Sequence, residues 1–278
     1  MCLLLVAHDC CPGYRLLVAA NRDEFHDRPT AAAEWWADRP DILGGRDLEA
    51  GGTWLALDRH GRFATITNVR AGRIAPGQRS RGLIVNDFLA GDDGADAFTA
   101  TLARDGAAYA GFNVLAYDGD SLSWYSNAAG APRTLERGIY TLSNAQLDTA
   151  WPKTERLRAG FGRMLAEVSH ATPAASAGVG ADRGPGAAPD DIVATLLDLL
   201  RDDVAAHDHA LPDTGIGLAM ERVLSSIFIR GPHYGTRCST VILIDEHGQL
   251  TYHERRYDRD AAIAGDTRIS FELPGPAA

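Results

Sequence analysis

Four times along this chain an apolar run meets a tight-turn signal and is followed at once by a second apolar run, and this punctuation constrains the fold more than any other feature. Residues 2–9 (CLLLVAHD) and 14–20 (YRLLVAA) flank CCPG, whose Pro-Gly step favours a turn. The arrangement recurs at 53–68 (TWLALD, RHGR, FATITN), at 111–127 (GFNVLAYD, GD, SLSWYSN) and at 239–258, where EHGQ supplies the turn. Four hairpins predict about eight strands with mostly antiparallel neighbours. Runs such as CLLLVA and STVILI lack polar alternation, so their sheets are expected to be covered on both faces.

Helical patterns fall between the hairpins. Segment 81–105 holds two, broken near GDDG; 151–169 carries Pro152 at a first-turn position; 189–207 opens with acidic residues and keeps apolar residues at helical spacing. Segment 171–188, rich in Gly, Ala and Pro, reads as a flexible low-complexity loop and not as a domain boundary. The expected fold is α+β, two packed sheets with helices outside, in one domain over residues 1–278. A chain of 278 residues, 45% of them hydrophobic, supplies the core this needs.

A net charge of -10 argues against broad nucleic-acid or anionic-membrane binding, which demand clustered positive charge. The four cysteines, Cys2, Cys10, Cys11 and Cys238, form no CxxC pair or disulfide framework, which fits a reducing compartment. The opening apolar run is too short for a signal peptide or a membrane span, so the expected location is cytoplasmic.

Cys2 directly follows the initiator methionine, and its small side chain lets Met1 be trimmed. Trimming would leave a thiol and an α-amino group on one residue. With a reference pKa of roughly 7.7–8.0, that amine can exchange a proton with the sulfur near neutrality. Cysteine is also a common buried small hydrophobe, so Cys2 alone leaves both readings open. In NRDEF (21–25), strand alternation turns Asn21 and Asp23 one way and Arg22 the other. Pairing with the first strand brings Asp23 to orient the terminal ammonium and Asn21 to add a hydrogen bond; the alternative is a solvated turn. Asn68 ends an apolar strand, where its amide N–H can face a developing oxyanion, and Asn144 in YTLSNAQLD has a similar setting. Either asparagine also suits a turn or cap.

Together, Cys2, the N-x-D at 21–23, Asn68 and the L-S-N at 142–144 resemble the N-terminal nucleophile (Ntn) hydrolases of the choloylglycine and penicillin-acylase branch. NRDEF with GGTWLAL and ITNVR more closely resembles the NRDE family, the group of the transport and Golgi organisation 2 proteins. The resemblance implies an αββα four-layer sandwich with Cys2 as nucleophile, Asp23 as its orienting acid, Asn68 as oxyanion donor and Asn144 positioning amine or substrate. One departure stands out: the arginine that precedes N-x-D in the choloylglycine branch is Ala20 here, and the arginine is Arg22, on the strand face opposite Asn21 and Asp23. A late arginine of that branch has only Arg222 or Arg237 as candidates. The implied activity is hydrolysis or acyl transfer at a linear amide or related acyl bond, with no cofactor and no metal. The alternative is a non-catalytic protein that binds or traffics haem or a lipid.

Further candidates surround this set. The loop 70–82 carries Arg70, Arg73, Arg79 and Arg81, which can grip a carboxylate or phosphate or be solvated. Arg70, Arg237 and Trp54 are taken as substrate-binding; Trp35 and Trp36 either line an apolar pocket or pack in the core. His8 and His26 are the candidate haem ligands, His8 being otherwise a satisfied strand residue. Cys10-Cys11 and the H-x-H at His207 and His209 lack the further ligands a metal site needs.

Overall fold

The computed structural model describes residues 2–71, 77–170 and 188–275. The expected loop at 171–188 falls almost wholly outside them, as does Arg73. The first hairpin pairs β1 (Cys2–Cys11) with β2 (Tyr14–Phe25), placing Cys2 opposite Arg22 and Leu4 opposite Ala20. β2 also pairs with β11 (Tyr234–Asp245), which forms the expected hairpin with β12 (Gln249–Tyr257). With β10 (Gly138–Leu142) beside β1 and β13 (Ile263–Glu272) beside β12, this makes a six-stranded sheet. The second sheet runs in sequence order: β3 (Thr30–Trp36), β4 (Arg39–Asp47), β5 (Leu55–Asp58), β6 (Phe63–Asn68), β7 (Phe112–Tyr117), β8 (Leu122–Ser126) and β9 (Arg133–Leu135). Every strand pairing in both sheets is antiparallel.

Alternate side chains of β1 divide between two cores, as the two-residue period demands. Leu4 and Val6 join Val18, Leu43, Leu57, Phe63, Leu115 and Ile242 between the sheets. Leu3 and Leu5 face outward onto α3 (Pro152–His170) and α4 (Pro189–Leu199), packing with Leu157, Phe161 and Leu196. On the far side α1 (Gly82–Ala90) and α2 (Ala95–Asp105) cover the second sheet through Ile84, Phe88 and Leu102 against Ala56, Ile66 and Val114. The fold is therefore an α+β, four-layer αββα sandwich.

Thirteen strands are present among the described residues, against the eight or so expected. The additional ones are β3, β4, β9, β10 and β13; β13 is an edge strand whose residues alternate between exposed and half-buried. α4 stops at Leu199, short of residue 207, because the chain is drawn onto the sheet there: the Leu200 carbonyl accepts from Asn21 and the Asp202 carbonyl from the Phe228 amide. A short helix, α5 (Leu218–Val223), was not expected. Among the described residues no helix is long and apolar enough to cross a membrane.

Candidate functional site

At the start of β1, between interior strands of the two sheets, a cavity of about 140 Å³ is lined by Cys2, Arg22, Asp23, Glu24, Arg28, Asp47, Thr53, Trp54, Ile66, Asn68, Ser80, Arg81 and Gly82. A larger cleft of about 370 Å³ lies between α3 and α4, lined by Arg156, Arg163, Asp202 and neighbours, and contains none of the expected site residues. The smaller cavity owes its shape to close backbone approaches. A Cβ on Gly52 would lie 2.5 Å from the carbonyl carbon of Gly82, so only glycine at 52 lets the start of α1 close over Thr53. Likewise a Cβ on Gly45 would strike the Trp54 ring at 2.4 Å. These contacts give GGTW its physical meaning.

The inter-sheet wall is built by register. Cys2, Arg22, Cys238 and Arg256 form one cross-strand row over β1, β2, β11 and β12. Side chains directly opposite one another share a face, so Arg22 stands on the same face as the Cys2 thiol. Its guanidinium lies 4.1 Å from the Trp54 ring centroid and donates to Thr30 Oγ1 at 3.0 Å. Cys2 is half-buried, and the protein packed around it pushes its thiol pKa up, Asp23 adding to the rise and Arg22 opposing it. Arg28 is ion-paired with Asp47 at 2.8 Å. Arg81 donates to the Gly111 carbonyl, and burial lowers its pKa.

The helix-facing side of the same strand is closed. Asn21 donates to the carbonyls of Leu200 (2.8 Å) and Ile227 (2.9 Å) and accepts from Ser239 (2.6 Å), so its amide is committed to holding the chain beyond α4 on the sheet. Asp23 accepts from Thr236 Oγ1 at 2.7 Å, and its backbone carbonyl accepts from the Tyr234 hydroxyl at 2.8 Å. Burial pushes the Asp23 pKa up, with Lys153, the Thr236 hydrogen bond and Arg70 pulling against it. The expected division of Asn21 and Asp23 from Arg22 is the one observed.

Asn68, half-buried, lines the cavity with Cys2. Asn144 does not line it: fully buried, it donates to the Asn68 carbonyl at 2.9 Å and so fixes the backbone that carries Asn68. Its neighbour Ser143 donates to the Cys2 carbonyl at 3.2 Å. Arg70 and Arg237, expected to bind substrate, are also absent from the lining. Arg70 is buried, paired with Glu221 at 2.8 Å and set against the Trp151 ring at 4.6 Å, which leaves it no freedom to reach a ligand. Arg237 donates to the carbonyls of Phe25 and Arg28 and so ties down the turn after β2. Of the loop arginines Arg81 reaches the cavity, whereas Arg79 pairs with Asp87 at the surface. Arg222 is exposed and paired with Asp208.

Trp54 is in the lining; Trp35 packs on Phe271, and Trp36 donates to the Gly44 carbonyl within the outer core. His8 sits toward the other end of β1, edge-on to Tyr117, and His26 Nε2 lies 2.9 Å from the Gly231 carbonyl. His207 and His209 stack on each other, and no three His, Cys, Asp or Glu residues among those described gather to hold a metal ion.

Sequence reasoning missed Lys153. It occupies the first turn of α3 yet is only 1% exposed, and burial lowers its pKa to about 8, with Arg70 adding to the drop and Asp23 opposing it. A lysine at a helix start ordinarily points to water, and nothing in WPKTE distinguishes this one. Glu221, buried on α5, was missed for the same reason.

The family model described as Transport and Golgi organisation 2 matches residues 1–259. The Transport and Golgi organization protein 2 homolog of Homo sapiens is 35% identical over 295 residues, covering 98% of this chain and 99% of the relative. The Transport and Golgi organization protein 2 of Drosophila melanogaster is 29% identical over 282 residues, 91% of each chain. A solved structure of a mutant conjugated bile acid hydrolase from Clostridium perfringens is similar over 98% of this chain and 92% of its own, with a TM-score of 0.40 and 9% sequence identity. With a family match across most of its length and a relative 35% identical end to end, this chain belongs to the Transport and Golgi organisation 2 family.

Proposed function

We propose that this chain is an N-terminal-cysteine hydrolase or acyltransferase acting on a linear amide or related acyl bond of a small molecule. The observation that carries this reading is the convergence of Cys2, Asn68, Arg22 and Asp23 on one small cavity. With Met1 removed, the Cys2 sulfur attacks the substrate carbonyl carbon, and the thiol proton passes to the α-amine of the same residue. The side-chain amide of Asn68 donates to the oxyanion that forms. The tetrahedral adduct collapses as the C–N bond breaks, and the leaving nitrogen takes the proton from the α-ammonium. Water, or an acceptor nucleophile in a transferase, then attacks the thioester carbonyl and gives its proton to the α-amine, and as the C–S bond breaks that proton passes from the α-ammonium to the departing sulfur.

Asp23 orients the terminal amine, Asn21 holds the strand that presents Asp23, and Asn144 holds the backbone at Asn68. Arg22 supplies positive charge beside the thiol where Ala20 offers none. The reading takes residues 1–278 as one domain at work in the cytoplasm. Binding and trafficking of haem or a lipid is the competing reading, and neither His8 nor His26 is in the lining of the cavity.

The test is covalent labelling by an acyl or β-lactam probe together with turnover of a panel of linear N-acyl amides, on the wild type and Cys2→Ala. The expected result is a probe adduct on Cys2 and hydrolysis that falls at least about a thousandfold in the variant. Equal labelling and equal turnover in the two proteins would overturn the proposal. Haem titration of the same samples addresses the competing reading: a Soret shift that is lost when His8 or His26 is replaced would favour it.

A further inference from the structure

The Cys2 sulfur and the Asn68 amide must meet on one carbonyl group, yet they belong to different sheets. Cys2 opens β1 in the six-stranded sheet, and Asn68 ends β6 in the seven-stranded one, so neither hydrogen-bond ladder fixes their separation. What spans the gap is the segment 143–145, which follows β10 in the first sheet. The Ser143 hydroxyl lies 3.2 Å from the Cys2 carbonyl oxygen and 3.2 Å from Asn144 Oδ1, so its one proton is shared between them. The Ser143 carbonyl accepts from the Thr67 hydroxyl at 2.5 Å, and the Asn144 amide donates to the Asn68 carbonyl at 2.9 Å. With its proton given to Ser143, Thr67 Oγ1 accepts from Asn113, its direct partner across β6 and β7, at 3.1 Å. Asn113 donates as well to the Ala145 carbonyl at 2.9 Å, while its Oδ1 has no partner among the described residues, so it acts in this network as a donor alone. Thr67, Asn113 and Ser143 are each 3% exposed or less, where water does not compete for these bonds.

We propose that Thr67 and Ser143 are positioning residues that tie the two sheets together at the site and so hold the Cys2 sulfur and the Asn68 amide in register on one substrate carbonyl. Thr67 is the chain neighbour of Asn68, and Ser143 grips the backbone of Cys2 itself, so the link reaches within one residue of each reacting group. Neither residue lines the cavity, and neither is expected to touch substrate. The inference rests on the reading of Cys2 as nucleophile and Asn68 as oxyanion donor, whereas the link itself is independent of turnover. Removing the Thr67 hydroxyl leaves both ladders intact and keeps two bonds at Asn144, its own to the Asn68 carbonyl and that of the Arg70 amide to its carbonyl at 2.7 Å. The site then loses alignment and not its parts, which is costly because an attack geometry tolerates only a small displacement.

The test compares two reactions of Cys2 on the full chain, each read by intact mass with peptide mapping. Acylation by p-nitrophenyl acetate passes through an oxyanion, whereas alkylation by iodoacetamide displaces iodide at a saturated carbon and needs no oxyanion donor. In Thr67→Val, which keeps the side-chain shape, acylation is expected to fall about tenfold or more while alkylation stays within about twofold of wild type, and Thr67→Ser is expected to restore acylation. In an Asn68→Ala background Thr67→Val is expected to lower acylation no further, because both changes act through the same donor. Parallel loss of both reactions would mean a loosened fold, and unchanged acylation a passive contact; either result overturns the proposal. Should Thr67→Val fail to fold, Ser143→Ala carries the same comparison. Should wild-type Cys2 take up neither reagent, the nucleophile reading falls by itself and the link is decided by NMR. Cys2–Leu3 is the one Cys–Leu step in the chain, so labelling with carbon-13 cysteine and nitrogen-15 leucine identifies the Cys2 carbonyl carbon. Its resonance is expected to move upfield in Ser143→Ala and in the same direction in Thr67→Val, and an unmoved resonance in Thr67→Val would overturn the link.

Discussion

On β2, residues 21 to 23 present polar groups to two different environments, and the contrast between those faces separates holding from reacting. Toward the helices, Asn21 has both amide nitrogen hydrogen bonds and its oxygen acceptor satisfied, and Arg70 and Glu221 form a closed ion pair beside Asp23 and Lys153. Toward the other sheet, Arg22 makes one side-chain hydrogen bond, to Thr30, lies over Trp54 and shares a cavity with Cys2 and Asn68. The first face is sealed by α3, α4 and α5, which makes its electrostatics strong and its side chains immobile. The second opens to solvent through the cavity, so its groups remain available to a ligand. Asp23 bridges the two, anchored behind the strand by Thr236 and reaching the cavity from there.

The contrast breaks most visibly if a closed-side residue can be removed without cost. Arg70→Met leaves Glu221 buried without its ion partner and is expected to destabilise the fold by about 3–5 kcal/mol in urea unfolding. A loss below about 1 kcal/mol would mean that the cluster is hydrated and the face is not closed. Asn68→Ala, on the open side, is expected to leave stability within about 1 kcal/mol of wild type. It should lower kcat for any amide that Cys2 turns over by about 10²–10³, or roughly 2.7–4 kcal/mol, with little change in KM. A change in KM alone would move Asn68 from oxyanion donor to ground-state binding.

The pH dependence sharpens the comparison further. Lys153 titrates at about 8 in the fold against 10.5 when unperturbed. Between those values the unfolded chain holds a proton that the folded chain lacks, so this group makes stability rise with pH across that window, by about 3 kcal/mol in all. Urea unfolding at pH 7.5 and pH 10, in wild type and Lys153→Met, isolates the contribution as the difference between the two slopes. A difference that is absent or of opposite sign would place the Lys153 side chain in water.

How much of this was legible beforehand follows from the range of the interactions involved. The hairpins of β1 with β2, β5 with β6, β7 with β8 and β11 with β12 announce themselves because turn chemistry and apolar runs are local. β3 and β4 escaped: TAAAEWW opens on small alanines, and RPDILGGRD is interrupted by Pro40 and by Gly44 and Gly45, whose value lies in close approaches across the sheet, Gly44 to Leu55 and Ala56 and Gly45 to the ring of Trp54. The opposed directions of Arg22 and Asp23 were legible, since strand alternation fixes them. The duties of Arg70, Arg237 and Asn144 were not, because each is set by a partner far away in the chain: Glu221, the turn carbonyls after β2 and the Asn68 carbonyl. Lys153 was invisible for the same reason, its burial being decided by how α3 docks.

The most direct measurement is intact-mass spectrometry of the purified protein before and after one equivalent of a thiol alkylator, with peptide mapping of the modified site. Cys11 and Cys238 are buried, whereas Cys2 is half-buried and lines the cavity. The account predicts a chain lacking Met1 that carries the label on Cys2 ahead of Cys10, Cys11 and Cys238. Retained Met1, or label spread over the other three cysteines with Cys2 inert, would contradict it.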